Sequence, residues 1–525
     1  MTGGTCSLQR QLVNWTPPID GDPAMTSPLP PSVRRLAFLV VLLMGAPCVS
    51  LAAKASAPSE AVRRAIGDDV QAEIAAGRLN GVAVALVSHG QIVWEQGFGS
   101  ADPAGRKVTA HTPFSIASTS KPFTTTAMMT LVAAGKIDLD HAVNDYLGEH
   151  KIVDAHGPAK AVTPRLLATH LSGLPSLFVM YPEDGAARQP SVDDLLRDYG
   201  HVNAPPGEHY EYSNLGMAVL ADVVARRAGM DYGRYLHKAV LEPLGLHDSF
   251  FDTDAARRKT MAVRYDNDGQ PMPFYLTATP GSGEVIASVH DLARFAMFHL
   301  KDHLPDQQPI LTDAQIDLLH QPYAHPAPGF YYGMGWQVWH DPAGRPVLYH
   351  GGGQIGVAVE FVLLPWADVA CIVASNRQGD LDFLRGVRDR LLRSVVSGWT
   401  TLPPTPVPPL RKLPADYAGT WRGMFTAQGQ QVPATLTIDA DGKGHLALRD
   451  EPAQAMTDFG LVDGWIAGGS SGDLGTPDVR RAGLTQLDFG LKRRGPRIEG
   501  EIDAWKKTSE GMTILPFWTS LTREK

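Results

Sequence analysis

Strand-forming runs stand at both ends of one long stretch of this chain, with helices and loops between them. Residues 82–87 and 91–97 alternate as two short strands around a His89-Gly90 turn. Strand character returns only at residues 335–339, 347–349, 357–364 and 369–374. Two sets of strands so far apart can bury their apolar faces by joining one sheet, so the chain has to come back on itself. A helical period at Val62, Ile66, Val70 and Ile74 precedes the first set, and a helix over about residues 381–396 follows the second. The expected fold is α/β of the α+β kind: a mainly antiparallel sheet flanked by helices, spanning residues 58–398.

A proline-rich linker, residues 399–413, ends that unit. Pro403, Pro404, Pro406, Pro408 and Pro409 make it stiff. Beyond it, residues 414–525 change character. Alternating runs at 432–438, 445–448, 484–489 and 498–502 are separated by Gly and Asp turns, with no helical period and no catalytic cluster. A small all-β accessory domain, barrel or sandwich, is expected there, separable from the chemistry. The amino terminus carries an address. Arg34-Arg35, an apolar run at 36–44 and small residues through Ala53 read as a secretory signal within residues 1–53, with Met25 an alternative start. The apolar run is short for a membrane anchor, so a cleaved signal, an exported (periplasmic or secreted) protein and no stable span after cleavage are expected. Cys371 alone of the three cysteines lies outside the signal region, so no internal disulfide is expected. The formal charge of −8 gives no global basic surface, which argues against a nucleic-acid partner.

A serine hydroxyl is a weak nucleophile until something takes its proton. Ser118-Thr119-Ser120-Lys121 places a lysine one helical turn after a serine, at the start of an apolar helical run with Pro122 in its first turn. Helix amides there can bind an oxyanion. Tyr212-Ser213-Asn214 supplies a phenol that can relay protons and an amide that can orient a lysine or a carbonyl. Tyr265-Asp266-Asn267 repeats that spacing, but it sits in a polar turn, whereas Tyr212 leads into an apolar helix, so Tyr212 is preferred. His350-Gly351-Gly352-Gly353 follows the strand at 347–349, and its glycines would let a substrate backbone approach closely.

In this order the three motifs resemble the family of class C β-lactamases, D-alanyl-D-alanine carboxypeptidases, D-aminopeptidases and related esterases. The stretches Thr163-Pro164-Arg165-Leu166-Leu167-Ala168-Thr169-His170-Leu171-Ser172-Gly173-Leu174-Pro175 and Tyr332-Gly333-Met334-Gly335-Trp336 are similar to it as well. The resemblance implies a β-lactamase/transpeptidase-like fold and a serine hydrolase acting through an acyl-enzyme. It implies Ser118 as nucleophile, Lys121 as its base, Tyr212 as proton shuttle and Asn214 as a holder of substrate or Lys121. It implies the amides of Ser118 and Gly353 as the oxyanion hole, Gly352 and His350 lining the site, and Trp336 as a candidate pocket wall or equally a core aromatic. His170 and Ser172 would fix a loop. No metal or organic cofactor is required. True β-lactamases carry Lys-Thr-Gly where this chain has His350. A mostly neutral histidine anchors a substrate carboxylate more weakly than a lysine, which favours esters or D-amino-acid amides over penicillins. The partner is then a small-molecule or peptide substrate. The rival reading is a slowly turning over or non-hydrolytic receptor for cell-wall peptides or β-lactams.

Overall fold

A computed structural model describes residues 56–154, 162–182, 188–403, 408–508 and 512–524. The signal region and part of the proline linker lie outside the described residues. Helix α1 (Glu60–Ala75) leads into strands β1 (Gly81–Ser88) and β2 (Gln91–Gly99). Next come β3 (Phe114–Ser115), α2 (Lys121–Ala133), α3 (Asn214–Ala228), β4 (Val285–Ala287) and α4 (Val289–Leu300). The second strand set is β5 (Ala324–Ala327), β6 (Phe330–Tyr332), β7 (Gln337–His340), β8 (Pro346–Tyr349), β9 (Gly352–Gln354), β10 (Val357–Leu364) and β11 (Val369–Ser375). Helix α5 (Leu381–Val395) closes the unit.

The two strand sets do meet. They form one antiparallel sheet ordered β5-β6-β7-β8-β10-β11-β1-β2, with β9 paired to β10. The join is β1 against β11, from Val82 opposite Ser375 to Ser88 opposite Val369. Every residue of β1 is buried, because its two faces serve two cores. Val82, Val84 and Leu86 pack with Ile66, Val70, Leu384 and Leu391 of α1 and α5. Ala83, Ala85 and Val87 face the other way, into the core that includes α2, α3 and α4. The period-two pattern of one strand therefore fixes a helix–sheet–helix sandwich.

Beyond the linker, nine antiparallel strands form a second sheet. They are β12 (Gly419–Ala427), β13 (Gln430–Ile438), β14 (Gly444–Leu448), β15 (Gln454–Ala455), β16 (Thr457–Val462), β17 (Trp465–Ser471), β18 (Gln486–Arg494), β19 (Arg497–Lys507) and β20 (Met512–Arg523). The order β15-β14-β13-β12-β20-β19-β18-β17-β16 puts the two edge strands next to each other in sequence, with only Met456 between them. The sheet thus curls into a barrel-like form rather than a sandwich. A short helix, Pro477–Ala482, interrupts it, against the expectation of no helix there.

The barrel is not a loose appendage. Phe178 and Ile514 exchange both backbone hydrogen bonds, at 3.1 and 2.8 Å. Glu208 meets Lys492 and Arg494, and the rings of His209 and Trp465 lie 4.2 Å apart. Tyr199 donates to Asp478 at 2.8 Å. Buried apolar residues of both units belong to one continuous cluster. The domain expected to be separable from the chemistry is thus packed against the main unit, Leu177 and Leu195 lining one cavity together with Gln428, Asp478 and Leu515 of the barrel. A chain ended at Thr401 is expected to unfold at least about 5 °C lower than the full chain. Calorimetry checks this, and an unchanged transition would show the interface to be energetically idle.

Candidate active site

Ser118 sits in a 3-10 turn, Ala117–Ser120, that runs directly into α2. Ala117 before it has φ of 45°, a left-handed conformation that costs a non-glycine residue energy and is held here by surrounding packing. The turn brings Ser118 and Lys121 to one face: Lys121 Nζ donates to Ser118 Oγ at 3.1 Å. The same ammonium reaches Asn214 Oδ1 at 2.9 Å and the Ser282 carbonyl at 2.9 Å, and lies 4.6 Å from the centre of the Tyr212 ring. Ser213 caps α3, its Oγ accepting from the Gly216 amide at 2.7 Å while donating to the Pro175 carbonyl. That cap leaves Tyr212 and Asn214, on either side of it, turned toward Lys121. Ser118, Tyr212 and Asn214 are partly exposed, whereas Lys121 is fully buried.

Burial sets the electrostatics. Loss of water pulls the Lys121 pKa down to about 7, opposed by the charge of Glu284. Burial raises Tyr212 above an ordinary phenol, opposed by its hydrogen bond with Ser118. Tyr212 is therefore a neutral phenol at neutral pH, suited to passing a proton on.

The third motif arrives on β9. Its backbone pairs with β10, Gly352 opposite Val359 and Gly353 opposite Ala358. A Cβ on Gly352 would lie 2.1 Å from the Ile116 carbonyl oxygen, so only glycine lets the strand close on the Ser118 turn. Gly353 is exposed, with open space where a Cβ would be.

Two expectations are corrected. His350 is 1% exposed and does not present its ring as an anchor for substrate. Its Nδ1 lies 2.9 Å from the Gly351 carbonyl and its Nε2 lies 2.9 Å from the Tyr332 hydroxyl. Burial, then the Lys121 charge, takes its pKa down to about 3. Trp336 is fully buried among His299, His320 and Phe361, so it is a core aromatic and not a pocket wall. Tyr265, the tyrosine not preferred, is buried as well, and its amide donates to the Asn376 carbonyl, away from the Ser118 cluster.

Three supporting residues escaped the sequence reading of the chemistry. His170 accepts the Ser213 amide at Nδ1, 3.2 Å away, and its Nε2 lies 3.2 Å from the Tyr332 hydroxyl. The acceptor role of Nδ1 puts the proton on Nε2, so Tyr332 accepts from His170 and donates to His350. His350 then donates from Nδ1 to Gly351. One directional chain of hydrogen bonds joins the Tyr212 segment to the glycine strand through two neutral imidazoles. Glu284, buried and accepting from the Gly283 amide at 2.8 Å and from Thr277, is the carboxylate whose charge acts on Lys121. A lone acid beside the apolar run at 285–287 was the available clue.

The family model described as Beta-lactamase matches residues 63–394. The chain belongs to the β-lactamase family. It is 29% identical over 329 residues to penicillin-binding protein 4 of Amycolatopsis lactamdurans, covering 60% of this chain and 84% of that protein. It is 27% identical over 318 residues to unguisins hydrolase ungD' of Aspergillus campestris, covering 56% of this chain and 58% of that protein. Among solved structures, SurE with D-Leu aligns over 87% of this chain and 100% of its own, with a TM-score of 0.61 and 21% identity. A class C β-lactamase aligns over 64% of this chain and 97% of its own, with a TM-score of 0.55 and 19% identity. These structural likenesses are of fold. Membership of the β-lactamase family supports serine hydrolase activity in the broad sense.

The glycine geometry gives a paired test. Gly352→Ala must push β9 off the Ser118 turn, and is expected to cost about 2 kcal/mol of stability together with most turnover. Gly353→Ala meets no neighbour and is expected to leave stability within about 0.5 kcal/mol. Urea unfolding and an ester assay on the two variants read the difference.

Proposed function

We propose that this protein is an exported serine hydrolase that forms an acyl-enzyme on Ser118 and turns over short carboxylic esters or D-amino-acid amides. The observation that carries the reading is the Lys121 amine, desolvated and held within 3.1 Å of Ser118 Oγ. A lysine with a pKa near about 7 is largely unprotonated just above neutrality and can accept the serine proton.

In the proposed cycle Ser118 Oγ attacks the carbonyl carbon while its proton passes to Lys121. Negative charge gathers on the carbonyl oxygen, facing the amides of Ser118 and Gly353. Collapse expels the alcohol or amine, which takes a proton relayed by Tyr212 from Lys121. Water then repeats the attack, giving its proton to the same pair, and the acid leaves with Ser118 restored. Asn214 holds Lys121 in line throughout. The substrate preference rests on His350: a buried, neutral ring supplies no cation for the carboxylate that penicillins and D-Ala-D-Ala peptides carry. Export rests on the arginine pair and apolar run of the amino-terminal region. Among the described residues, no helix is long and apolar enough to cross a membrane.

A fluorophosphonate or comparable serine probe is expected to add one label, on the peptide containing Ser118, and Ser118→Ala should remove it. Lys121→Ala and Tyr212→Phe should each lower ester turnover by about a hundredfold or more, with the double variant far from multiplicative. Tyr265→Phe should be close to wild type. Labelling without release of product would favour an acylated receptor instead, and efficient penicillin turnover would overturn the substrate preference.

The Lys121 pKa also fixes a pH profile. Protonation removes the base, so kcat/KM should fall as pH drops through about 7 and level off above it. A rate independent of pH between about 6 and 8 would exclude Lys121 as the base.

A further inference from the structure

We propose that Glu95, His111 and His290 form a binding site for a divalent transition-metal ion of the zinc type, apart from the serine site. Glu95 lies on edge strand β2, His111 in the segment that leads to β3, and His290 in the first turn of α4. One potential ligand atom from each lies within 4.8 Å of the other two. Ligands about 2.0–2.1 Å from a tetrahedral zinc ion are about 3.3 Å apart, so the three must close by about 1.5 Å at most. They have the freedom to do so. Their side chains are 28%, 57% and 26% exposed in that order, so no core packing has to be broken.

The surroundings support a cation. The imidazole rings of His111 and His290 stand face toward face, 4.3 Å between centres and tilted by 35°. Each has a carboxylate at its Nδ1: Asp248 on His111 at 2.8 Å and Glu95 on His290 at 2.9 Å. Asp248 is itself fixed, its Oδ2 accepting from Ser288 Oγ at 2.9 Å and its amide donating to Asp291 at 2.8 Å. For His111, the Asp248 carboxylate on Nδ1 orients the ring and leaves Nε2 with a free lone pair, the arrangement found behind metal-binding histidines, whereas Glu95 and His290 Nδ1, already 2.9 Å apart, would meet the ion side by side. Glu95 and Asp248 bring two carboxylates to the cluster. That offsets the positive end of α4, which begins at Val289. Two imidazole nitrogens and one carboxylate oxygen suit zinc, copper or nickel, whereas calcium and magnesium prefer oxygen ligands. Water would fill the remaining position.

The bound ion would tie β2 to α4 and to the segment that leads through β3 to the Ser118 turn, and so would brace the catalytic unit without touching the reacting atoms.

Full-length, tag-free protein stripped with a chelator is titrated with Zn2+ by calorimetry, with thermal unfolding followed in parallel. One site per chain and a higher unfolding temperature with Zn2+ but not Mg2+ are expected. His111→Ala and His290→Ala should each weaken binding by about tenfold or more, and Glu95→Gln should weaken it less. Circular dichroism checks that each variant is folded. Independently of any variant, anomalous scattering at the zinc edge from wild-type crystals should place the ion between these three residues. No binding, an affinity unchanged by all three substitutions, or an ion located elsewhere would overturn the proposal.

Discussion

The burial of one ammonium group governs the rest of the site. Lys121 is taken fully out of water and is met by a hydroxyl, an amide oxygen and a carbonyl, none of them charged. An isolated buried cation is costly, and the cost is relieved when the group gives up its proton. The surrounding structure sets how far that goes. Glu284 favours the charged form, desolvation opposes it, and the balance falls near neutrality. Moving any partner of Lys121 changes that balance, so the turn at Ser118, the cap at Ser213 and the bend at Ser282 are parts of one electrostatic device.

The hydrogen-bond chain through His170, Tyr332 and His350 serves the same end. Its directionality requires both imidazoles to be neutral, and burial of both keeps them so. Protonated histidines beside Lys121 would drive its pKa lower still. The chain also links segments far apart in sequence, the Tyr212 turn and the glycine strand, so the two walls of the site keep a fixed spacing. His350 thus works as a structural spacer, where its place in the motif suggested a contact with substrate.

What could be read from sequence follows from how local each feature is. Ser118 and Lys121 are one turn apart, and Tyr212 and Asn214 flank a capping serine, so spacing together with the order of the three motifs made these residues legible. In the main sheet β1, β2, β7, β8, β10 and β11 were legible as apolar or alternating runs, whereas the short β5, β6 and β9 carry too few residues to show a pattern. Glu284, His170 and Tyr332 were not legible as parts of the site, since their roles depend on contacts across tens to hundreds of residues. The orientation of Trp336 was undetermined for the same reason: a large aromatic beside a glycine fits a core or a cleft equally well. In the barrel, β12, β15, β16, β17 and β20 went unread. Pro516 and the glycines of β17 blur the alternation there, and β19 is buried on both faces with Glu499, Glu501 and Asp503 on one of them.

The place of β20 in the barrel bears on how the chain acquires its structure. It is the last of the nine strands in sequence, yet it lies at the centre of the sheet, between β12 and β19. Trp421 pairs with Arg523 across about a hundred residues, and Ile514 of the same strand pins Phe178 of the catalytic unit. Contacts of such separation form late and slowly, because the intervening loop must be closed first. A chain emerging amino terminus first can therefore assemble its serine turn early, but the segment carrying Phe178 stays unclamped until β20 is in place. The clamp on the catalytic unit is therefore among the last contacts the growing chain can make, whatever is already folded upstream.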